Sequence, residues 1–147
     1  QLRDWGIPLG RRFRALKLWL QLRLDGVEAI RARLRRDLAN AAWLAAQVEA
    51  EPGWELVAPV PLQTVCVLHR PGRENQGGQD GAELDRHTLA WAEAVNASGQ
   101  ALVTPALLDG RWMVRVAIGV EATEHEHVVR LWDLMRAAAS ETGTHRP

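Results

Sequence analysis

Between Phe13 and Leu24 the chain carries apolar side chains on nearly every face of a helix. Phe13, Leu16, Leu20 and Leu24 fall at helical spacing on one side, and Leu18, Trp19 and Leu22 occupy the others. A helix apolar around most of its circumference is usually buried around most of it. A chain of 147 residues offers few elements with which to surround one. The expectation is that something outside this chain covers part of the helix; the plainer alternative is an ordinary core helix of a small domain. A Pro-Leu-Gly turn precedes it. Pro8 fixes its own backbone and pushes Ile7 towards extended geometry. Gly10 admits backbone angles closed to other residues and leaves space where a side chain would sit. The helix is expected over residues 11–24, ending at Asp25-Gly26.

A second helix is expected over 27–51, with Val27, Ile30, Leu34, Leu38, Ala41, Ala45 and Val48 as its apolar stripe and Pro52-Gly53 as its end. Residues 54–59 read as a strand broken by Pro59 and Pro61, and QTVCVLHR (63–70) as a better one. The Gly-rich stretch 71–81 has almost nothing to bury and reads as a mobile loop. A third helix, over 82–96, shows Leu84, Thr88, Trp91, Ala92 and Val95 on one side. Strands over 101–108 and 111–119 flank Asp109-Gly110, a strong two-residue hairpin signal because both turn positions want left-handed backbone angles. Thr123 and Glu126 make a capping box for the last helix, whose core face is Val128, Leu131, Trp132, Met135 and Ala138; the tail from Ser140 is expected to fray. The tight hairpin requires an antiparallel pair. The fold class expected is α+β: a mostly antiparallel four-stranded sheet with helices on one face, preceded by a connecting helix.

Charge and composition exclude several functions. Net charge is zero, yet residues 1–36 hold ten Lys/Arg against three Asp/Glu and the remainder holds eight against fifteen. The basic portion raises an RNA-binding alternative. Sheet domains that bind RNA usually expose stacking aromatics, whereas this chain has one Phe and no Tyr, and its Trp residues fall mostly on helix core faces. Cys66, the single cysteine, excludes an internal disulfide, suits a reducing compartment and reads as a buried small apolar residue. No apolar run is long enough to span a membrane, and no signal-peptide pattern opens the chain. The chain begins with Gln1, which fits an excised or cleaved piece. His125 and His127, two apart, point to different sides of a helix, and His69 and His87 have no ligand-spaced neighbours, so no metal site is expected.

Arg115 is the sharpest chemical candidate. In WMVRVAIG, Trp112, Val114, Val116 and Ile118 point one way and Met113, Arg115 and Ala117 the other. A mid-strand Arg is costly to bury unless an anion meets it, and its planar fork suits a carboxylate. A structural pair with Glu or Asp, or exposure on an open sheet face, are the alternatives. Lys17 is the only lysine and reads as a salt bridge or a solvated head.

The stretch DWGIPLGRRFRALKLW (4–19) resembles the segment D-W-Q-I-P-L-G-R-R-F-R-x-L-K-x-W of group II pyridoxal-phosphate decarboxylases, the aromatic-L-amino-acid decarboxylase family, with Gly6 in place of the usual Gln. The resemblance continues through DGVEAIRARLRRDLANA (25–41), WMVRVAIG (112–119) and TEHEHVVRLW (123–132), nearly the whole chain but only the last third of a family member. It implies the small C-terminal domain of a fold-type I pyridoxal-phosphate enzyme, with 1–25 as connecting segment and 26–147 as the domain. It further implies a cytoplasmic homodimer acting on L-amino acids, aromatic ones in the first place; composition and hydropathy, as above, leave neither nucleic acid nor membrane as an expected partner. Arg115 would lie at the active-site edge near the substrate carboxylate, and Leu9 and Gly10 would border the side-chain pocket, where Gly favours large rings. The cofactor lysine and the mobile catalytic loop lie upstream in the family, so this piece alone would be inactive, and Lys17 matches a non-catalytic family position. A stand-alone small-molecule-binding or regulatory α+β module is the remaining alternative. Oxidative deamination on the same cofactor is open beside decarboxylation.

Overall fold

Gly26, at φ +77°, separates the first two helices, α1 (Arg14–Leu24) and α2 (Val27–Ala50), where few non-glycine residues would turn the chain. The computed structural model describes residues 13–71 and 81–144, and divides the chain into two compact units, 1–33 and 34–147. In the first unit no residue of α1 is buried, and Phe13, Leu18, Trp19 and Leu24 are all exposed. Arg23 lies over the Trp19 ring, 5.9 Å from its centroid.

In the second unit, β1 (Trp54–Leu56), β2 (Thr64–His69), β3 (Thr104–Leu108) and β4 (Arg111–Ala117) form one sheet in the order β1-β2-β4-β3, antiparallel throughout. Asp109 and Gly110, at φ 50° and 78°, make the expected tight turn and pair Leu108 with Arg111. α3 (Gly81–Ala97) carries the chain from β2 to the far edge strand β3, and the hairpin returns β4 into the space between them. α4 (His125–Thr144) closes the domain.

The alternation within the strands decides where the core sits. Val65 and Val67 of β2 and Val114 and Val116 of β4 share one face and are buried. Against them pack Ala41, Leu44 and Val48 of α2, Trp91, Ala92 and Val95 of α3, and Val128, Trp132 and Met135 of α4. Trp54 joins these layers edge-on, with ring centroids 5.4 Å from Trp91 and 4.9 Å from Trp132. The core-forming parts of α2, α3 and α4 therefore lie on one face of the sheet, as the pattern implies.

Four local departures have local causes. The third strand begins at Thr104, three residues late, because Asn96 occupies both backbone groups of Val103: Nδ2 donates to its carbonyl (3.0 Å) and Oδ1 accepts its N–H (2.7 Å). The capping box moves one residue along, so that the N–H of Glu124 donates to Nδ1 of His127 (2.9 Å). The tail from Ser140 does not fray before Thr144: Ser140 Oγ bonds the carbonyl of Arg136 and Thr142 Oγ1 that of Ala138, both at 2.9 Å. Cys66 is half-buried rather than buried, because strand alternation turns it away from Val65 and Val67. The expected loop at 71–81 falls largely outside the described residues.

Candidate functional site

The sheet face turned away from the helices collects the chemistry-bearing strand residues. Register sets Arg115 directly between Cys66 on β2 and Thr104 on β3, so the three side chains project together from neighbouring strands. Arg115 and Thr104 are exposed and Cys66 is half-buried. No described residue forms an ion pair with Arg115; a structural partner among them is thereby excluded, and exposure on an open face is what the fold shows. One pair further along, Leu68 and Met113 are only 3% and 8% exposed on this same face. Beyond them Glu55 accepts from Arg70 Nε at 2.9 Å. The face thus offers the Arg115 guanidinium, without an ion pair among the described residues, beside a hydroxyl and a thiol, next to an apolar floor. That arrangement suits a carboxylate carried on an apolar body.

Leu9 and Gly10 lie outside the described residues. Lys17 is exposed on α1. Pyridoxal phosphate needs a positioned lysine amine to hold it covalently. The described residues do not by themselves fit that cofactor, since the chain's one lysine stands in solvent. The basic N-terminal portion is partly neutralised from within: Arg31 meets Glu28 at 2.7 Å, and Arg36 meets Glu124 at 2.6 Å and donates to the carbonyl of Glu121. Among the described residues no group of His, Cys, Asp and Glu could hold a metal ion, and no helix is long and apolar enough to cross a membrane.

A second polar centre lies on the covered side. His69 Nδ1 and His87 Nε2 are 2.8 Å apart, and His87 Nδ1 is 3.3 Å from Thr142 Oγ1. His69 borders a cavity of about 410 Å³ with Glu51, Pro52, Trp54, Asp133, Arg136, Ala137 and Ser140. Burial, and then the neighbouring His87, hold the His69 imidazole at about 4, well below the ordinary value; burial also lowers His87. This pair escapes a reading by spacing because the two residues are 18 apart and meet only through the β2–α3 crossover.

The architecture defines a class: an α+β unit matching the C-terminal domain of pyridoxal-phosphate decarboxylases. Comparison with known proteins agrees. Residues 1–69 match the pyridoxal-dependent decarboxylase conserved domain. Tyrosine decarboxylase 2 of Narcissus pseudonarcissus is 36% identical over 138 residues, covering 94% of this chain and 27% of that protein. Phenylacetaldehyde synthase of Arabidopsis thaliana is 34% identical with the same coverage of each chain. The crystal structure of Oryza sativa TDC with PLP and tryptamine superposes with a TM-score of 0.78 at 30% identity, over 96% of this chain and 29% of that one. The chain is similar to members of the pyridoxal-dependent decarboxylase family, and it spans about a quarter (27%) of the length of the two curated relatives cited above.

Proposed function

We propose that this chain is the C-terminal part of a pyridoxal-phosphate-dependent L-amino-acid decarboxylase acting on aromatic substrates. The observation that carries the reading is the 36% identity to a tyrosine decarboxylase along 94% of the chain. In this reading the cofactor, an electron sink for the carbon that loses its carboxylate, is held mainly by residues outside this chain, including the lysine. Arg115 meets the substrate carboxylate from the open sheet face, and Leu9 and Gly10 border the ring. Residues 1–25 connect the domain, 26–147, to the larger part. The exposed apolar side chains of α1 support that role, since they await cover. The whole protein is a cytoplasmic homodimer, and the isolated chain has no activity. No nucleic acid takes part; the open face exposes Arg115, Thr104 and Ala117 rather than a stacking aromatic platform.

A second chemistry has its own support, because a phenylacetaldehyde synthase is 34% identical over the same share of this chain. The test is product analysis on the full-length protein supplied with pyridoxal phosphate and L-tyrosine, L-tryptophan or L-phenylalanine. An arylalkylamine released with carbon dioxide is the expected result. An aldehyde with ammonia, carbon dioxide and hydrogen peroxide, formed with consumption of dioxygen, would assign the oxidative course. A folded, cofactor-loaded protein that turns over none of the three would overturn the reading.

A further inference from the structure

The histidine pair has a direction that its neighbours determine. Thr142 Oγ1 lies 2.9 Å from the carbonyl of Ala138 and 3.2 Å from that of Ala139, and a carbonyl only accepts. The hydroxyl proton is committed there. Towards His87 Nδ1, 3.3 Å away, the Thr142 oxygen is therefore an acceptor, and Nδ1 carries the ring proton. His87 Nε2 is then the bare nitrogen. It accepts from His69 Nδ1 at 2.8 Å, so that His69 also carries its proton on Nδ1. The chain of donors runs from β2 through α3 to the final turns of α4, with both imidazoles neutral.

From this geometry we propose that His69, His87 and Thr142 form an acid-released latch that fastens the end of α4 to α3 and β2. The chain of bonds survives a single added proton, which His69 can take on Nε2. A second proton sets two N–H groups against each other across 2.8 Å and breaks it. The surroundings disfavour even the first. From β1 the pair is faced by the uncharged Trp54 ring, 4.8 Å from that of His69. The charged groups sharing the His69 cavity are Glu51, at the end of α2, and Asp133 and Arg136 of α4. Arg136 lies 3.5 Å from Glu51 and 3.8 Å from Asp133, so both carboxylates are already engaged by a cation. Elsewhere, Glu55 is taken by Arg70, and Asp85 of α3 by the N–H of Trp112. Among the described carboxylates that line this cavity, none is left without a cation.

The sign follows from linkage. The latched His69 has its affinity for protons lowered to about 4, while a released imidazole titrates near 6.5. Between those values the released state binds more protons. Latching is fully favoured above 6.5 and is lost as pH falls towards 4, with a contribution of the same sign from His87.

Long-range nitrogen–proton NMR of the imidazoles tests this on the chain, together with amide hydrogen exchange corrected for its intrinsic pH dependence. Both rings are expected as Nδ1–H tautomers at pH 7, with neither titrating near 6.5. Protection of residues 140–144 should fall on acidification ahead of that of β4. Thr142→Val should speed exchange there about tenfold at pH 7, the worth of one hydrogen bond, while leaving His69 shifted. An Nε2–H tautomer on either ring at pH 7, or ordinary titration of His69, would overturn the latch. So would identical pH dependence of α4 exchange in the wild type and His87→Leu. The tautomer readout needs no variant, so the test survives a substitution that fails to fold.

Discussion

Val114 and Arg115 are adjacent in β4 and face opposite worlds. Val114 lies under Trp91 and its neighbours with no accessible surface, while Arg115 stands in solvent between Cys66 and Thr104. The covered face is a continuous apolar layer drawn from three helices and the sheet, and it accounts for why the unit folds. The open face contributes little to that layer and keeps a cation where an Ala or Thr would cost less side-chain entropy. One face therefore reports on stability and the other on what the unit meets, so substitutions on the two should separate cleanly.

The largest effect belongs to the covered face. Trp91 is fully buried, and truncation leaves a cavity beneath Trp54. Trp91→Ala is expected to cost about 3–5 kcal/mol, read as a lower urea midpoint at unchanged slope. A loss below about 1 kcal/mol would mean that this layer is not where the stability resides. The next effect is at the rim. Asn96 satisfies both backbone groups of Val103 in the connection from α3 to β3, so Asn96→Ala strands a donor and an acceptor. A loss of roughly 1–3 kcal/mol is expected, with faster amide exchange at Val103 than in β4. Equal protection at the two places would show that solvent replaces the clamp freely.

The same contrast explains what is legible without coordinates. Alternation in β4 and the Asp109-Gly110 turn carry their own geometry, so the hairpin, the antiparallel sheet and the outward direction of Arg115 follow from local pattern. The alternation of β2 likewise turns Cys66 outward, a signal outweighed in a reading based on residue type alone. The end of α4 is different. Ser140, Thr142 and Gly143 argue locally for fraying, and what holds them helical includes a contact with His87, 55 residues away from Thr142. His69 and His87 are ordinary residues until the crossover brings β2 and α3 together. Local rules recover what alternation and turn chemistry determine; they miss polar groups that owe their partners to topology.

Arg115 gives the smallest expected effect on folding and the sharpest separation of the two faces. Exposed and without an ion pair among the described residues, it should tolerate Arg115→Ala with a stability change within about 0.5 kcal/mol. In the full-length protein the same substitution should lower kcat/KM for an aromatic amino acid about ten- to a hundredfold, the range for losing a hydrogen bond to a charged group. Cofactor absorbance should stay unchanged. Arg115→Lys restores the charge but not the two-pronged fork, so it should recover only part of the loss. Full recovery by lysine would reduce the role to general electrostatics. Unchanged kinetics in a folded Arg115→Ala protein would remove this residue from the site and leave the open face as a packing surface for the rest of the chain. Loss of stability equal to that of Trp91→Ala would erase the distinction between the faces altogether.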